Sequence, residues 1–228
     1  MSRYFAVVPA AGVGSRMEAD IPKSYLAING QTIFSITLRQ LLACDRIDHI
    51  CVAVSKDDTH IKRESVTDSA RVSLVQGGDE RQASVLNGLL HLKQRAEASD
   101  WVLVHDVARP LISRADLSRL MDELDHDPVG GILATPVKDT LKSVGPNNII
   151  QKTVPRTNLW AALTPQMFRY GVLLKALETA VRDNMQVTDE AAAVEYIGEQ
   201  ARIVPGDATN IKLTYPADLR IVEALLNQ

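Results

Sequence analysis

Five short clusters hold residues whose types and spacing could do chemistry. The first is Pro9-Ala10-Ala11-Gly12-Val13-Gly14-Ser15-Arg16-Met17, followed by Pro22-Lys23, directly after a short apolar run. Small side chains and glycines let backbone N–H groups approach an anion, and loop amides of this kind form phosphate-binding concavities. A plain tight turn can be written with the same Gly-x-Gly. Met17 stands where a dinucleotide fingerprint takes a third glycine or alanine, and no P-loop motif occurs. Neither a Rossmann cofactor site nor a Walker ATPase is therefore indicated. Arg16 and Lys23 add cations to the loop, which suits a triphosphate.

The second cluster, Gly77-Gly78-Asp79-Glu80-Arg81-Gln82-Ala83-Ser84, reads as a strand end and a helix start, with Asp79 as N-cap. Arg81 and Ser84 then share a helix face near its positive end, where a nucleotide contact and a ligand-free capped helix are both open readings. In the third, Val102–Val104 ends in His105-Asp106, with Arg109 close behind. Ligands gather at the carboxyl ends of strands in open α/β sheets, and a carboxylate there can hold Mg²⁺ on phosphate oxygens. An Asp–Arg pair fixing a turn is the plainer alternative, and His105 reads as a hydrogen-bonded structural histidine. The fourth, Thr188-Asp189-Glu190, is explained by capping, with Thr188 as N-cap. The fifth is Lys212, within Asn210-Ile211-Lys212-Leu213-Thr214 before Pro216.

An α/β chain is what must position these residues. Strand-like runs at Tyr4–Val8, His49–Val54, Val72–Val75, Trp101–His105 and Gly131–Pro136 alternate with helical patterns near Thr32–Ala43, Asp57–Ser65, Glu80–Ala96 and Arg114–Leu124. This alternation predicts a layered α/β domain, a mostly parallel sheet flanked by helices. Beyond a segment Trp160–Leu163, helices are expected at Gly171–Val181, Asp189–Tyr196 and Pro216–Leu226, with a strand at Ala201–Val204. Residues 138–157 break the pattern. Thr140–Ser143 and Ile149–Val154 flank Gly145-Pro146-Asn147-Asn148 and read as an inserted hairpin in one domain spanning 1–228. A two-stranded hairpin is marginal alone in water, so it should lean on the parent domain or a second subunit.

Composition bounds the partners. Lys and Arg number 25 against 28 Asp and Glu, for a net charge of -3. A nucleic-acid binder usually carries a basic surplus, and the 4% aromatic content gives little for stacking bases. No apolar run is long enough to span a bilayer, and the first residues lack an export signal. A cytoplasmic protein with no nucleic-acid or membrane partner is expected. Cys44 and Cys51 lack metal-site spacing and read as reduced thiols near the core.

Taken together, the clusters resemble one family in order and spacing over nearly the whole chain. They are Ala10-Ala11-Gly12-x-Gly14-x-Arg16-Met17, Pro22-Lys23, Gly78-x-x-Arg81-x-x-Ser84 and His105-Asp106-x-Ala108-Arg109-Pro110. They continue through Thr135-Pro136-Val137-Lys138-Asp139-Thr140, Arg156-x-x-Leu159-Trp160-x-x-Leu163-Thr164-Pro165-Gln166, Thr188-Asp189-Glu190 and Asn210-Ile211-Lys212-x-Thr214. The sequence is similar to the 2-C-methyl-D-erythritol 4-phosphate cytidylyltransferases of non-mevalonate isoprene biosynthesis. The resemblance implies a Rossmann-like α/β nucleotidyltransferase domain with a projecting β-arm, here residues 138–157, that clasps a second subunit in a homodimer. It implies transfer of a cytidylyl group from CTP to a sugar-alcohol phosphate, with release of pyrophosphate.

By the same resemblance, Gly12, Gly14, Arg16 and Lys23 hold the triphosphate, and Ala10, Ala11, Gly78, Asp79 and Ser84 border the cytidine. Asp106 binds Mg²⁺ or another divalent cation. Arg109, Thr140, Arg156, Thr188 and Lys212 handle the sugar phosphate, with Thr140 and Arg156 supplied by the neighbouring arm. Lys23, Arg16 and Lys212 are the expected catalytic cations, and Arg81 a further nucleotide contact. The chain departs from the family at Ser24, where Gln is usual, and at Lys138, where Arg is common. At Thr209 some members carry a further metal-site Asp, and Asp207 lies out of register with it. Two other readings carry their own tests. A cytidylyltransferase for another polyol phosphate, such as ribitol 5-phosphate, would share the loop and the arm. A non-catalytic nucleotide-binding module could dispense with Lys23, Asp106 and Lys212.

Overall fold

A computed structural model describes residues 2–12 and 21–227. In chain order the elements begin β1 (Tyr4–Pro9), β2 (Ala27–Ile28), β3 (Gln31–Thr32), α1 (Ile33–Leu42), β4 (Ile47–Val54), β5 (Val72–Gln76), α2 (Arg81–Leu92) and β6 (Trp101–Val104). They continue α3 (Arg114–Leu124), β7 (Gly130–Pro136), β8 (Leu141–Val144), β9 (Ile150–Val154), β10 (Trp160–Arg169), α4 (Tyr170–Arg182), α5 (Glu190–Tyr196), β11 (Arg202–Pro205) and α6 (Pro216–Leu226).

β1 shows why the strands form. Tyr4, Ala6 and Val8 enter the core beneath α1 and α3, while Phe5 and Val7 enter the core beneath α2, α4 and α5. A strand covered on both faces reads as a continuous apolar run. The sheet has seven strands in the order β11-β7-β10-β6-β1-β4-β5. Pairings β1–β4, β1–β6, β4–β5 and β7–β11 are parallel, and β10 runs antiparallel between β6 and β7. A third core under α6 gathers Ile28, Ile33, Ala108, Leu213 and Val222.

The expected mostly parallel sheet is present, with three differences. Residues 57–65 form no α-helix but short 3-10 turns at Ile61–Arg63 and Ser65–Asp68. Asp58 Oδ1 takes the N–H groups of His60 and Ile61, at 2.9 and 3.1 Å, which favours a turn over helix continuation. Second, α2 ends at Leu92, with Arg95 and Ala96 turning back onto the Leu92 carbonyl. Third, Trp160–Leu163 is only the beginning of β10, which runs on to Arg169 and enters the sheet. Its register shifts between Ala162 and Gln166, so Thr164-Pro165 sits at an irregularity that hides the strand pattern.

Because β10 pairs directly with β7 (Trp160 opposite Pro136), residues 137–159 leave the sheet and return to it. The excursion holds β8 and β9, a separate antiparallel ribbon. Its turn places Asn147 and Asn148 at φ 61° and 59°, left-handed backbone that Asn tolerates better than most residues. Leu141, Val144, Ile149 and Ile150 on this ribbon are exposed.

Candidate active site

The carboxyl ends of parallel strands build one cleft. The loop after β1 is tied to β4 by the Ala10 N–H on the Ala53 carbonyl at 2.7 Å, and the loop after β5 by Gly77 on Val54 at 2.7 Å. The cleft holds about 580 Å³ of empty volume, and its walls are Pro9–Gly12, Lys23, Gly78–Arg81, Ser84, Asp106–Ala108 and Lys212. The expected Ala10, Ala11, Gly12, Lys23, Gly78, Asp79, Arg81, Ser84, Asp106 and Lys212 are thus brought together from segments spread along the whole chain.

Two glycines permit this approach. A Cβ on Gly77 would lie 2.6 Å from Ala11 Cβ and 2.9 Å from Ser84 Oγ, and one on Gly78 would lie 2.4 Å from Ala83 Cβ. Gly78 N–H donates to Ser84 Oγ at 3.1 Å, so the helix holds the loop. Asp79 is not the N-cap of α2. Glu80 occupies that position without a side-chain cap bond, and Ser84 Oγ donates to the Glu80 carbonyl at 3.2 Å.

The charges concentrate on Asp106. Arg81 Nε lies 2.9 Å from its Oδ1, Lys212 Nζ 2.7 Å from Oδ2, and Arg109 Nε 3.9 Å from Oδ2. Burial disfavours the Asp106 anion, but the Arg81 and Lys212 charges outweigh it and hold the carboxyl well below the usual carboxylate range. Arg81 in turn gives Nη1 and Nη2 to the buried Glu190, at 2.6 and 3.0 Å. Burial opposes the Arg81 charge, yet Glu190 and Asp106 raise its guanidinium above the ordinary range. Lys23 Nζ donates to the Leu213 carbonyl at 2.9 Å, and Leu213 N–H donates to the Ala108 carbonyl at 2.9 Å. Leu213 therefore joins the Lys23, Lys212 and Asp106 segments.

A buried chain lies behind Asp106. Its N–H donates to Thr164 Oγ1 at 3.1 Å, Thr164 Oγ1 lies 3.0 Å from His105 Nδ1, and His105 Nε2 lies 3.0 Å from the Arg109 carbonyl. Burial pushes the imidazole down to about 4, so it is neutral near pH 7. A carbonyl only accepts, so the single ring proton sits on Nε2 and the Thr164 hydroxyl donates to Nδ1. Arg109 Nη1 donates to the Asn210 carbonyl, and Asn210 Nδ2 to the Thr164 carbonyl, each at 2.7 Å. Among the described residues, Arg109 Nε and Asn210 Oδ1 are buried polar atoms without a hydrogen-bond partner.

Other expected residues lie elsewhere. Thr140 and Arg156 sit exposed on the excursion between β7 and β10, away from this chain's own cleft. Thr188 is not the N-cap of α5. Asp189 caps it, accepting from Ala192 N–H at 2.9 Å. Gly14 and Arg16 lie outside the described residues. Thr164, Asn210 and Glu190 appear in the sequence only as letters within longer motifs. Their parts in the site depend on contacts from residues 46 to 109 positions away.

Among the described residues, no three His, Cys, Asp or Glu side chains come together to hold a metal ion. Val107, beside Asp106 in the cleft wall, offers no ligand, so Asp106 is the acid at this strand end. Asp207 is engaged locally, where its Oδ1 accepts from the Thr209 N–H and hydroxyl at 2.8 Å each. Mg²⁺ is commonly held by one or two carboxylates together with substrate phosphates. This donor set therefore fits a cation carried in on a polyphosphate and does not fit an all-protein metal cage.

A family model described as 2-C-methyl-D-erythritol 4-phosphate cytidylyltransferase matches residues 4–228. The chain is similar to the protein of that name from Vibrio parahaemolyticus, 46% identical over 228 residues, which cover 100% of this chain and 97% of the relative. It is also similar to the one from Aliivibrio fischeri, 44% identical over 223 residues, 98% of this chain and 93% of the relative. Among solved structures, a 4-diphosphocytidyl-2C-methyl-D-erythritol synthase matches with a TM-score of 0.87 at 36% identity, covering 99% of each chain. The 2-C-methyl-D-erythritol 4-phosphate cytidylyltransferase of Francisella tularensis matches with a TM-score of 0.84 at 35% identity, covering 98% of this chain and 99% of the other.

Proposed function

The chain belongs to the 2-C-methyl-D-erythritol 4-phosphate cytidylyltransferase family, and from that premise we propose how its cleft carries out cytidylyl transfer. The acceptor is a phosphate monoester, already anionic near neutral pH, so it needs no general base. Its oxygen attacks the α-phosphorus of CTP, the bond from that phosphorus to the bridging oxygen breaks, and pyrophosphate leaves. The barrier is the approach of two anions and the charge that builds on the α-phosphate and leaving group. Positioned cations meet that demand.

One observation carries the reading. Lys23 and Lys212 line one cleft with the small-residue loop, and Lys23 Nζ donates to the carbonyl of Leu213, the residue after Lys212. Lys23 and Arg16 serve the α-phosphate and the leaving group, and Lys212 the reacting centre. Gly12 and Gly14 floor the triphosphate, while Ala10, Ala11, Gly78, Asp79 and Ser84 border the cytidine. Asp106 would hold a divalent cation, which when bound neutralises phosphate charge. Arg109 and Thr188 serve the sugar phosphate, and Thr140 and Arg156 reach it from the arm of a second copy in a homodimer. Among the described residues no helix is long and apolar enough to cross a membrane, which suits small water-soluble substrates. The test is a pyrophosphate-release assay crossing four nucleoside triphosphates with methylerythritol phosphate and ribitol phosphate. Release is expected with CTP and methylerythritol phosphate. Equal release with ribitol phosphate, or none with either, would overturn the proposal.

A further inference from the structure

Glu190 is the buried acid that the proposed chemistry leaves unused. It is 1% exposed at the first position of α5. Its two oxygens take Nη1 and Nη2 of Arg81, which leaves Arg81 Nε to Asp106 Oδ1. We propose that Glu190 is a positioning residue, which turns Arg81 onto Asp106 and keeps that guanidinium off the triphosphate. The proposal rests on the reading above, in which Asp106 faces the polyphosphate.

Two arguments favour this over a plain structural tie. First, α5 is already fastened. Gln166 Nε2 donates to Asp189 Oδ2 and Gln166 Oε1 accepts from Ala191 N–H, each at 2.9 Å. A buried ion pair is seldom more stabilising than apolar residues of similar volume, so anchoring alone does not explain it. Second, Arg81 stands at the start of α2 in the cleft wall, on a flexible stem, and Lys212 lines the same cleft. A triphosphate attracts any cation within reach. With one N–H of each Nη on Glu190 and Nε–H on Asp106, three of the five guanidinium donors are fixed, and Arg81 and Glu190 together present no net charge. Arg81 then orients the acid and does not bind phosphate.

The test is Glu190→Gln, which keeps the shape and removes the charge. It leaves one more net positive charge beside the cleft. CTP binding, measured by calorimetry without acceptor, is expected to tighten several-fold. Turnover is expected to fall on the order of 10- to 100-fold, because the carboxylate loses its orientation. A structural lesion would weaken both together, so unchanged turnover, or weaker CTP binding, overturns the proposal. A second measurement needs no variant and no turnover. In the wild-type protein the Arg81 Nε–H resonance should be protected from solvent exchange. Exchange as fast as that of surface arginines overturns the proposal even if Glu190→Gln does not fold. If wild type releases no pyrophosphate from CTP, the functional reading fails and the positioning role with it, whereas fast exchange with normal release overturns the positioning role alone.

Discussion

At the scale of single residues, the site sets a few strong charges against one acid. Lys23 is the sharpest test of that arrangement. Lys23→Ala should lower turnover on the order of 10²- to 10³-fold, while CTP affinity changes far less. Steady-state kinetics beside equilibrium binding will separate the two, and turnover within a few-fold of wild type would refute the assignment. His105 gives a pH prediction. Burial lowers its folded-state pKa from 6.5 to about 4, so the unfolded chain takes up a proton that the folded one refuses. Its contribution to stability is full above pH 6.5 and is lost as pH falls toward 4. Thermal melts from pH 8 to 4 should show this decline, and His105→Asn should flatten it. Asp106 behaves differently. Its carboxyl is held well below the usual range by Arg81 and Lys212 against the pull of burial, so it stays ionised across that whole interval.

Elements deliver these residues through close backbone approach. The loop after β5 can rest against the start of α2 because Gly78 has no side chain. A Cβ there would meet Ala83 Cβ at 2.4 Å. Gly78→Ala should therefore push the loop off α2, cost about 1–3 kcal/mol of stability and weaken CTP binding. Calorimetry and denaturant titration would check both, and unchanged binding would show that the loop does not border the nucleotide. The same scale explains what is legible in the sequence. The strands stand out because burial on both faces leaves apolar runs such as Tyr4–Val8. At Arg114–Leu124 the expected and observed bounds coincide, and Ser113 caps the helix. The cap of α2 is harder to read: Asp79 has the right chemistry, but Ser84 holds loop and helix together from within the helix. At α5, Thr188 and Asp189 are both good caps, and a shift of one residue decides between them.

For the whole molecule, the proposed pairing of two copies turns on the arm. Leu141, Val144, Ile149 and Ile150 on it are exposed, apolar surface that a second copy would cover if the arm clasps one. If Thr140 and Arg156 complete the neighbouring site, Arg156→Ala should raise the KM for the sugar phosphate. Mixing it with Lys23→Ala should then regain activity, since each mixed dimer keeps one intact site. Variants that regain nothing on mixing would argue against a shared site.

Local patterning by itself determined the alternation of strands and helices and the inserted hairpin, and it marked the clusters whose roles in the cleft the family resemblance then implied. Those features follow from which side chains must leave water and from the backbone freedom of particular residues, and both are written in neighbouring positions. Tertiary structure alone decided that β10 runs antiparallel through the sheet, that Leu213 joins the two lysine segments, and that Glu190 grips Arg81. Those pairings join residues 109 to 190 positions apart in the two side-chain cases. Periodicity carries no record of a partner at that distance, because it is chosen by packing and charge once the chain has closed on itself.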